Sequence, residues 1–231
     1  MRIATWNLEW ASGHRHVAAR RHLESVDADL IATTEDRAVP WPPYSHALDG
    51  GDDWGYRTLP DRRKVVIWSR DPIERVDVET PGAARGRLVV ARVAGGSPCI
   101  VVAVCIPWAA AHVSTGRRDR ERWDEHLEFC QTLRTVLAGL RSTGPVIVAG
   151  DFNQRVPRCK QPVRAWDALC GALEGLDVWS TEDRSDVELI DHVACTPDLM
   201  MTDLGSWSNI VAGTRLSDHA GVWVDAEPVR T

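Results

Sequence analysis

Asp151 and Asn153, in the stretch PVIVAGDFNQR, follow four apolar residues and Gly150. Residues two apart on a strand face the same side. A strand continuing through this stretch would aim the carboxylate and the amide at one place. Asn7 and Glu9, in TWNLEW, form a second pair of that kind. Glu35 ends the apolar run ADLIATTE, Asp191 sits in LIDHV, and Asp218 and His219 adjoin in RLSDHAGV. Each of these groups lies at or beside the edge of an apolar segment. A lone charge buried there is costly, and several acids brought together repel one another. A divalent cation relieves both costs, and oxygen ligands from Asp, Glu and Asn suit a hard ion such as Mg2+ or Mn2+.

Taken singly, each fragment has an ordinary explanation. Asp-x-Asn after a strand serves turns, Asp-His is common in surface loops, and Glu35 beside Asp36 suits a solvated strand end. His14 and His16 have ligand-like spacing but read as a solvated pair. The set in its chain order is what carries weight.

The elements that must hold these groups follow from periodicity and punctuation. Residues 2–7 read as a strand apolar on both faces. RHVAARRHLESV gives a short helical pattern with Ser12 as a cap, and ADLIATTE a second buried strand. Residues 37–56, rich in Pro, Gly and Trp, read as a long loop with one strand at most. KVVIWSR, IERVDVE, GRLVVARVA and CIVVAVCIPW follow as strands separated by Pro and Gly. The clearest helix lies in RERWDEHLEFCQTLRTVLAGLRSTG, where Trp123, Leu127, Cys130, Leu133, Leu137 and Leu140 recur at helical spacing. A further helix is expected around VRAWDALCGAL, and strands near LDVWS, LIDHVAC and HAGVWVDA. Strands in hairpin-like order with few helices between them argue for an α+β chain with paired sheets inside and helices outside.

The 231 residues suit one domain spanning 1–231, with a sizeable core. A net charge of −6 excludes coating by nucleic acid through bulk charge. A phosphate-bearing substrate must be drawn locally, by a metal or by Arg. The six cysteines include no C-x-x-C pair, which argues against a zinc ribbon. Cys99 and Cys105 lie roughly 20 Å apart at strand rise, too far to bridge. The start, MRIATWNLEW, enters a strand with no leader pattern. The longest apolar run is interrupted by Pro107 and is short of a membrane span. A reduced, cytoplasmic monomer is expected.

The order TWN, strand-end Glu35, GDFN, IDHV and SDHAGV resembles the endonuclease/exonuclease/phosphatase superfamily, the metal-dependent phosphoesterases related to pancreatic deoxyribonuclease and apurinic endonucleases. The resemblance runs over nearly the whole chain; GDFN and the terminal SDH are its most specific parts. It implies a four-layer α/β sandwich, with two mostly antiparallel β-sheets packed face to face and helices outside. It implies a hydrolase for phosphodiester bonds, first of all in nucleic acid, using Mg2+ or Mn2+ and in-line attack by water without a covalent enzyme intermediate. Whether one metal or two act stays open. Glu35 resembles the principal metal ligand, with Asn7, Glu9 and Asp218 near the metal. Asp151 resembles the residue that orients or deprotonates the water, and Asn153 and Asn7 the amides at the phosphate. His219 is similar to the family histidine at the scissile phosphate, with Asp191 as its carboxylate.

Two positions depart from the pattern. Cys105 stands where relatives carry His or Tyr, and a thiol is a weak donor; His112 and Trp108 are the candidate substitutes. Thr34 stands where Gln is common. Cys105 leaves one rival open, a binding protein on the same fold without turnover; the acidic net charge and the missing polybasic stretch leave another, a phosphatase or phosphodiesterase for a small or lipid-linked phosphate ester.

Arg155 and Arg158, after GDFNQ, are candidate phosphate contacts. Arg117, Arg118, Arg120 and Arg122 fall at the expected start of the long helix, where cations oppose the macrodipole; a solvated helix start offset by neighbouring acids is the plainer reading. Arg62, Arg63 and Lys64 read as surface charge flanking a strand. Among eleven Trp, Trp10, Trp41, Trp54 and Trp108 fall in loops expected to rim the cleft. Trp68, Trp179 and Trp223 read as core.

Overall fold

Apolar residues alternate on both faces of most strands, so each sheet can be covered twice. The computed structural model describes residues 1–94 and 98–229. The first sheet contains β1 (Arg2–Asn7), β2 (Leu30–Arg37), β3 (His46–Asp49), β4 (Arg62–Ser69), β11 (Leu199–Trp207) and β14 (Gly221–Pro228), in the order β11-β14-β1-β2-β4-β3. The second contains β5 (Ile73–Arg75), β6 (Leu88–Val93), β7 (Cys99–Cys105), β8 (Val146–Asp151), β9 (Asp177–Val178) and β10 (Asp191–Cys195), in the order β5-β6-β7-β8-β10-β9. Each sheet has one parallel pair, β1 with β2 and β7 with β8; the other pairs are antiparallel. The Gly-rich turn expected between β6 and β7 falls on residues 95–97, outside the described residues.

The layers follow from the alternation. Ile3, Leu30, Ala32, Val65 and Ile67 of the first sheet pack on Val89, Ala91, Val101, Ala103, Ile147, Ala149 and Val193 of the second. The intervening residues Ala4, Trp6, Ile31, Val66 and Trp68 face outward onto Ala19, Leu23 and Val26 of α1 (Gly13–Val26). On the far side, Leu88, Val90, Ile100, Val102, Val146 and Val148 meet Phe129, Leu133 and Leu137 of α2 (Asp124–Leu140), together with Leu169 of α3 (Val163–Ala172). This is the expected four-layer sandwich. Among the described residues, no helix is long and apolar enough to cross a membrane.

Several local expectations need correction. Strand β11 and a small hairpin, β12 (Ile210–Val211) with β13 (Thr214–Arg215), carry no clean period; β11 is half-exposed and interrupted by a bulge between Met201 and Asp203. Helix α2 begins at Asp124, so Arg117 and Arg120 precede it, and both pair with the buried Glu125. Ser12 precedes α1 without a side-chain cap hydrogen bond. His16 is buried against Asp36, 3.2 Å away, within a cluster that includes Arg20, Thr33 and Trp68. Trp41 packs in the core against Tyr44 and Trp68.

Two features of the frame carry predictions. Gly150 has φ +143, and a Cβ there would lie 1.9 Å from the Val104 carbonyl oxygen. Only glycine lets β8 approach β7 this closely. Gly150→Ala should therefore destabilise the fold by about 2–3 kcal/mol or more, read as a lowered midpoint in denaturant titration. An unchanged midpoint would show that β8 can withdraw freely.

His126 is fully buried and held neutral. Its Nδ1–H donates to the Pro107 carbonyl (2.9 Å), and Nε2 accepts from the Gln154 amide (2.6 Å). Burial pushes its pKa down to about 4. The unfolded chain takes up a proton near the ordinary pKa of 6.5, so this contribution to stability is full above that pH and is lost as pH falls toward 4. Between about pH 7.5 and 4.5 the wild type should lose roughly 2 kcal/mol more than a His126→Phe variant. Parallel pH slopes in denaturant titrations of the two proteins would refute this.

Candidate active site

Strand register brings the acids level. Asp151 ends β8 directly opposite Asp191 in β10, and it pairs on its other side with Cys105 at the end of β7. Asn7 ends β1 in the facing sheet. Its Nδ2 donates across the gap to Asp151 Oδ2 at 3.1 Å. The last loop is laced to β1. The Trp6 indole N–H donates to the His219 carbonyl (2.8 Å), the Ser217 hydroxyl donates to the Asn7 carbonyl (2.6 Å), and the His219 amide donates to Ser217 Oγ (3.0 Å). These contacts set His219 Nδ1 2.6 Å from Asp191 Oδ2.

The resulting cleft, about 220 Å³, is lined by Asn7, Glu35, Lys64, Arg87, Cys105, Ile106, Trp108, Asp151, Asn153, Asp218 and His219. Two of its polar residues reach it through unusual backbone. Asn153 lies beyond β8 with φ +53, and Glu35 interrupts β2 with φ +49. Left-handed geometry at non-glycine residues costs about 1–3 kcal/mol each and re-aims the side chain. A turn, rather than a continuing strand, therefore brings Asn153 back onto Asp151. Its backbone amide donates to Asp151 Oδ1 and its Nδ2 to Asp151 Oδ2, both at 2.8 Å. Asn153 Nδ2 also donates to the Ile106 carbonyl at 2.8 Å.

Burial drives the electrostatics. It pushes Asp151 up to about 7; nearby His219 opposes the shift and Asp191 adds to it. Burial alone would lower His219, but the Asp191 and Asp151 charges and the hydrogen bond to Asp191 outweigh it and raise the imidazole to about 10. Burial also pushes the Cys105 thiol up to about 12, so it stays protonated. Asp151, Asp191 and His219 present ligand atoms within 4.8 Å of one another. Asp191 Oδ1 is buried without a hydrogen-bond partner among the described residues.

Four candidates lie elsewhere. Glu9 follows β1 at φ +49, and its carboxylate is drawn outward by Arg15 and Arg215. Arg155 is paired with Glu182 and Glu188, and Arg158 donates to the Gln161 carbonyl. His112 is buried and not part of the cleft lining, stacked on Tyr56 at 4.0 Å, with Nδ1 accepting from the Arg117 amide. Two basic residues that line the cleft do not stand out in the sequence. The ladder pairs Thr34 with Val65 and Asp36 with Arg63, which leaves Glu35 level with Lys64. Lys64, 8% exposed as a residue, donates from its ammonium to the Glu35 carboxylate. Arg87, nearly fully buried, enters from the residue before β6.

The fold recurs in solved structures. A 3′ phosphatase, NExo, from Neisseria bound to product DNA hairpin aligns with a TM-score of 0.71 at 18% identity, covering 98% of this chain and 99% of that one. Humanized D. rerio TDP2 aligns at 0.69 with 14% identity, covering 98% of each chain. An AP endonuclease from Archaeoglobus fulgidus aligns at 0.68 with 17% identity, covering 97% and 98%. At these identities the likeness is one of fold. No curated protein matches the chain. The sequence pattern of the Endonuclease/Exonuclease/phosphatase family, by contrast, matches residues 4–219, from within β1 to His219. That match spans every element that builds the cleft, and the chain belongs to the Endonuclease/Exonuclease/phosphatase family.

Proposed function

We propose that this protein is a divalent-metal-dependent phosphodiesterase of nucleic acid that works by in-line attack of water. The observation that carries the reading is the meeting of Asp151 and its two amides with the Asp191–His219 pair, in one cleft that also holds Glu35. Solved relatives of the same fold include a phosphatase bound to product DNA hairpin and an AP endonuclease.

Donor chemistry fits a hard cation. Glu35 and Asp218 offer carboxylates and Asn7 an amide oxygen at the same cleft. Glu35 already attracts a cation, the Lys64 ammonium. When bound, Mg2+ or Mn2+ would offset charge on the phosphate and at the leaving oxygen. The Asp151–Asp191–His219 cluster is the weaker metal site, because a His ligand must be neutral and these carboxylates favour the imidazolium.

Asp151 serves as the base for the attacking water. Its raised pKa places it near neutral operating pH, where general-base catalysis is most efficient. Asn7 and Asn153 hold its carboxylate in one orientation. Imidazolium His219, fixed through Nδ1 by Asp191, presents Nε2–H to a phosphate oxygen. Arg87 supplies a further positive charge. Cys105 remains a neutral thiol and does not attack the phosphorus.

The reading is tested with plasmid and single-stranded oligonucleotides, in Mg2+, in Mn2+ and in chelator. Metal-dependent nicking or shortening is expected. The net charge of −6 favours a second reading, a phosphoesterase for a small or lipid-linked ester. Turnover of such esters alone would establish it. Ligand binding without turnover of either class would leave a binding protein on this fold.

A further inference from the structure

Beside the catalytic cleft lies a second cavity of about 290 Å³, lined by Trp10, Trp54, Tyr56, Arg57, Arg62, Lys64, Arg87, Trp108 and Thr115. It shares Lys64, Arg87 and Trp108 with the cleft, so the two adjoin along a common wall and together make a two-part trough. The aromatic wall is prearranged. Trp10 stacks on Trp54 with ring centres 5.6 Å apart and planes 15° apart. The Arg62 guanidinium carbon lies 4.9 Å, and Lys64 Nζ 5.3 Å, from the Trp10 ring centre. Arg62 Nε is buried without a hydrogen-bond partner among the described residues.

Trp108 differs from these rings. It follows β7 at the junction of the two cavities and is 47% exposed, whereas Trp54 is buried. A half-exposed indole is ordinary when taken singly; what distinguishes Trp108 is its place where the two cavities meet, among cations. Basic residues flank it: Arg57, Arg62 and Arg87 line the same trough, while Lys64 is committed to Glu35. A flat ring face beside a track of cations matches a nucleic-acid strand with one base exposed. Stacking takes the base without regard to sequence, and the cations take the flanking phosphates. A paired base keeps its faces covered within the duplex and cannot use this wall.

We propose that the trough is a subsite for an unpaired nucleobase next to the scissile phosphate, with Trp108 as the stacking face and Arg57 and Arg62 on the neighbouring phosphate. The substrate class is thus single-stranded or frayed nucleic acid. This deepens the phosphodiesterase reading and rests on it for the position of the scissile bond.

The test is binding in chelator, so that turnover does not intervene. A 5′-labelled single-stranded hexathymidylate and a blunt, G·C-ended hairpin duplex closed by a non-nucleotide linker, so that it has no unpaired base, are titrated against wild type, Trp108→Ala, Trp108→Phe and Arg62→Ala, with folding checked by circular dichroism. The single strand should bind more tightly than the hairpin. Trp108→Ala should weaken the single strand about tenfold and leave the hairpin nearly unchanged. Trp108→Phe should recover most of the loss, and Arg62→Ala should reduce the dependence of affinity on salt. Equal affinity for both probes, or no loss with Trp108→Ala, overturns the subsite. Failure of the two readings is separable. Binding as expected with no hydrolysis of any phosphodiester removes the catalytic reading alone. Metal-dependent hydrolysis of bis-p-nitrophenyl phosphate with hexathymidylate binding insensitive to Trp108 removes the subsite alone.

Discussion

Asp151→Ala should lower phosphodiester hydrolysis by about a thousandfold to ten-thousandfold while the protein stays folded. The substitution removes the group proposed to take the water proton. Of the neighbouring side chains, Asn7 and Asn153 are amides, the Cys105 thiol stays protonated, Asp191 is engaged by His219 and Glu35 by Lys64. Stability should change little. Burial raises Asp151 to about 7, above its ordinary 3.8. A carboxyl shifted upward favours the folded state below its unfolded pKa, and that contribution is lost as pH rises through the folded one. At about pH 8 the Ala variant therefore sheds an unfavourable buried charge. Against this it loses hydrogen bonds from the Asn7 side chain and from the side chain and backbone of Asn153. Single-turnover hydrolysis and a thermal melt at that pH check both halves. Activity within tenfold of wild type would remove Asp151 from the mechanism.

His219→Ala should cost about a thousandfold and also change the shape of the pH profile. In the wild type with its cation bound, the acid limb of kcat/KM should follow Asp151 and lie below the value of about 7 that burial gives this carboxyl without the cation. The alkaline limb should follow His219 near pH 10, where the imidazolium raised by Asp191 and Asp151 finally loses its proton. The variant should retain the first limb and lack the second. If the alkaline limb survives, its source is another group, and His219 acts by geometry alone.

Residues whose chemistry coincides with a strand end were legible. Asp151, Asp191, Asn7 and His219 each adjoin an apolar run, and a buried run leaves its polar terminus few places to go. Positions that depend on pairing between distant segments were not. Lys64 looks like flanking charge until β2 and β4 are aligned and Glu35 falls opposite it. Glu9 shares a strand-like spacing with Asn7, but the positive φ at Glu9 turns it away toward Arg15 and Arg215. Asn153 reached the expected place by a different route, a turn instead of continued extension. The sandwich itself was readable because its strands are apolar on both faces. Strand β11 was not, because an edge strand with a bulge and a half-wet face leaves no period to detect.

Two of the hydrogen bonds at the proposed reaction centre cross from one sheet to the other: Asn7 to Asp151, and His219, in the loop that leads into β14, to Asp191 on β10. The centre is therefore a clasp over the seam between the layers. Its alignment is only as good as the interdigitation of Ile3, Ile67, Val101 and Ile147 beneath it. A slip of about 1 Å at such a joint can cost on the order of a hundredfold in rate. Core substitutions far from any phosphate should thus register as lost turnover before the protein shows any readiness to melt.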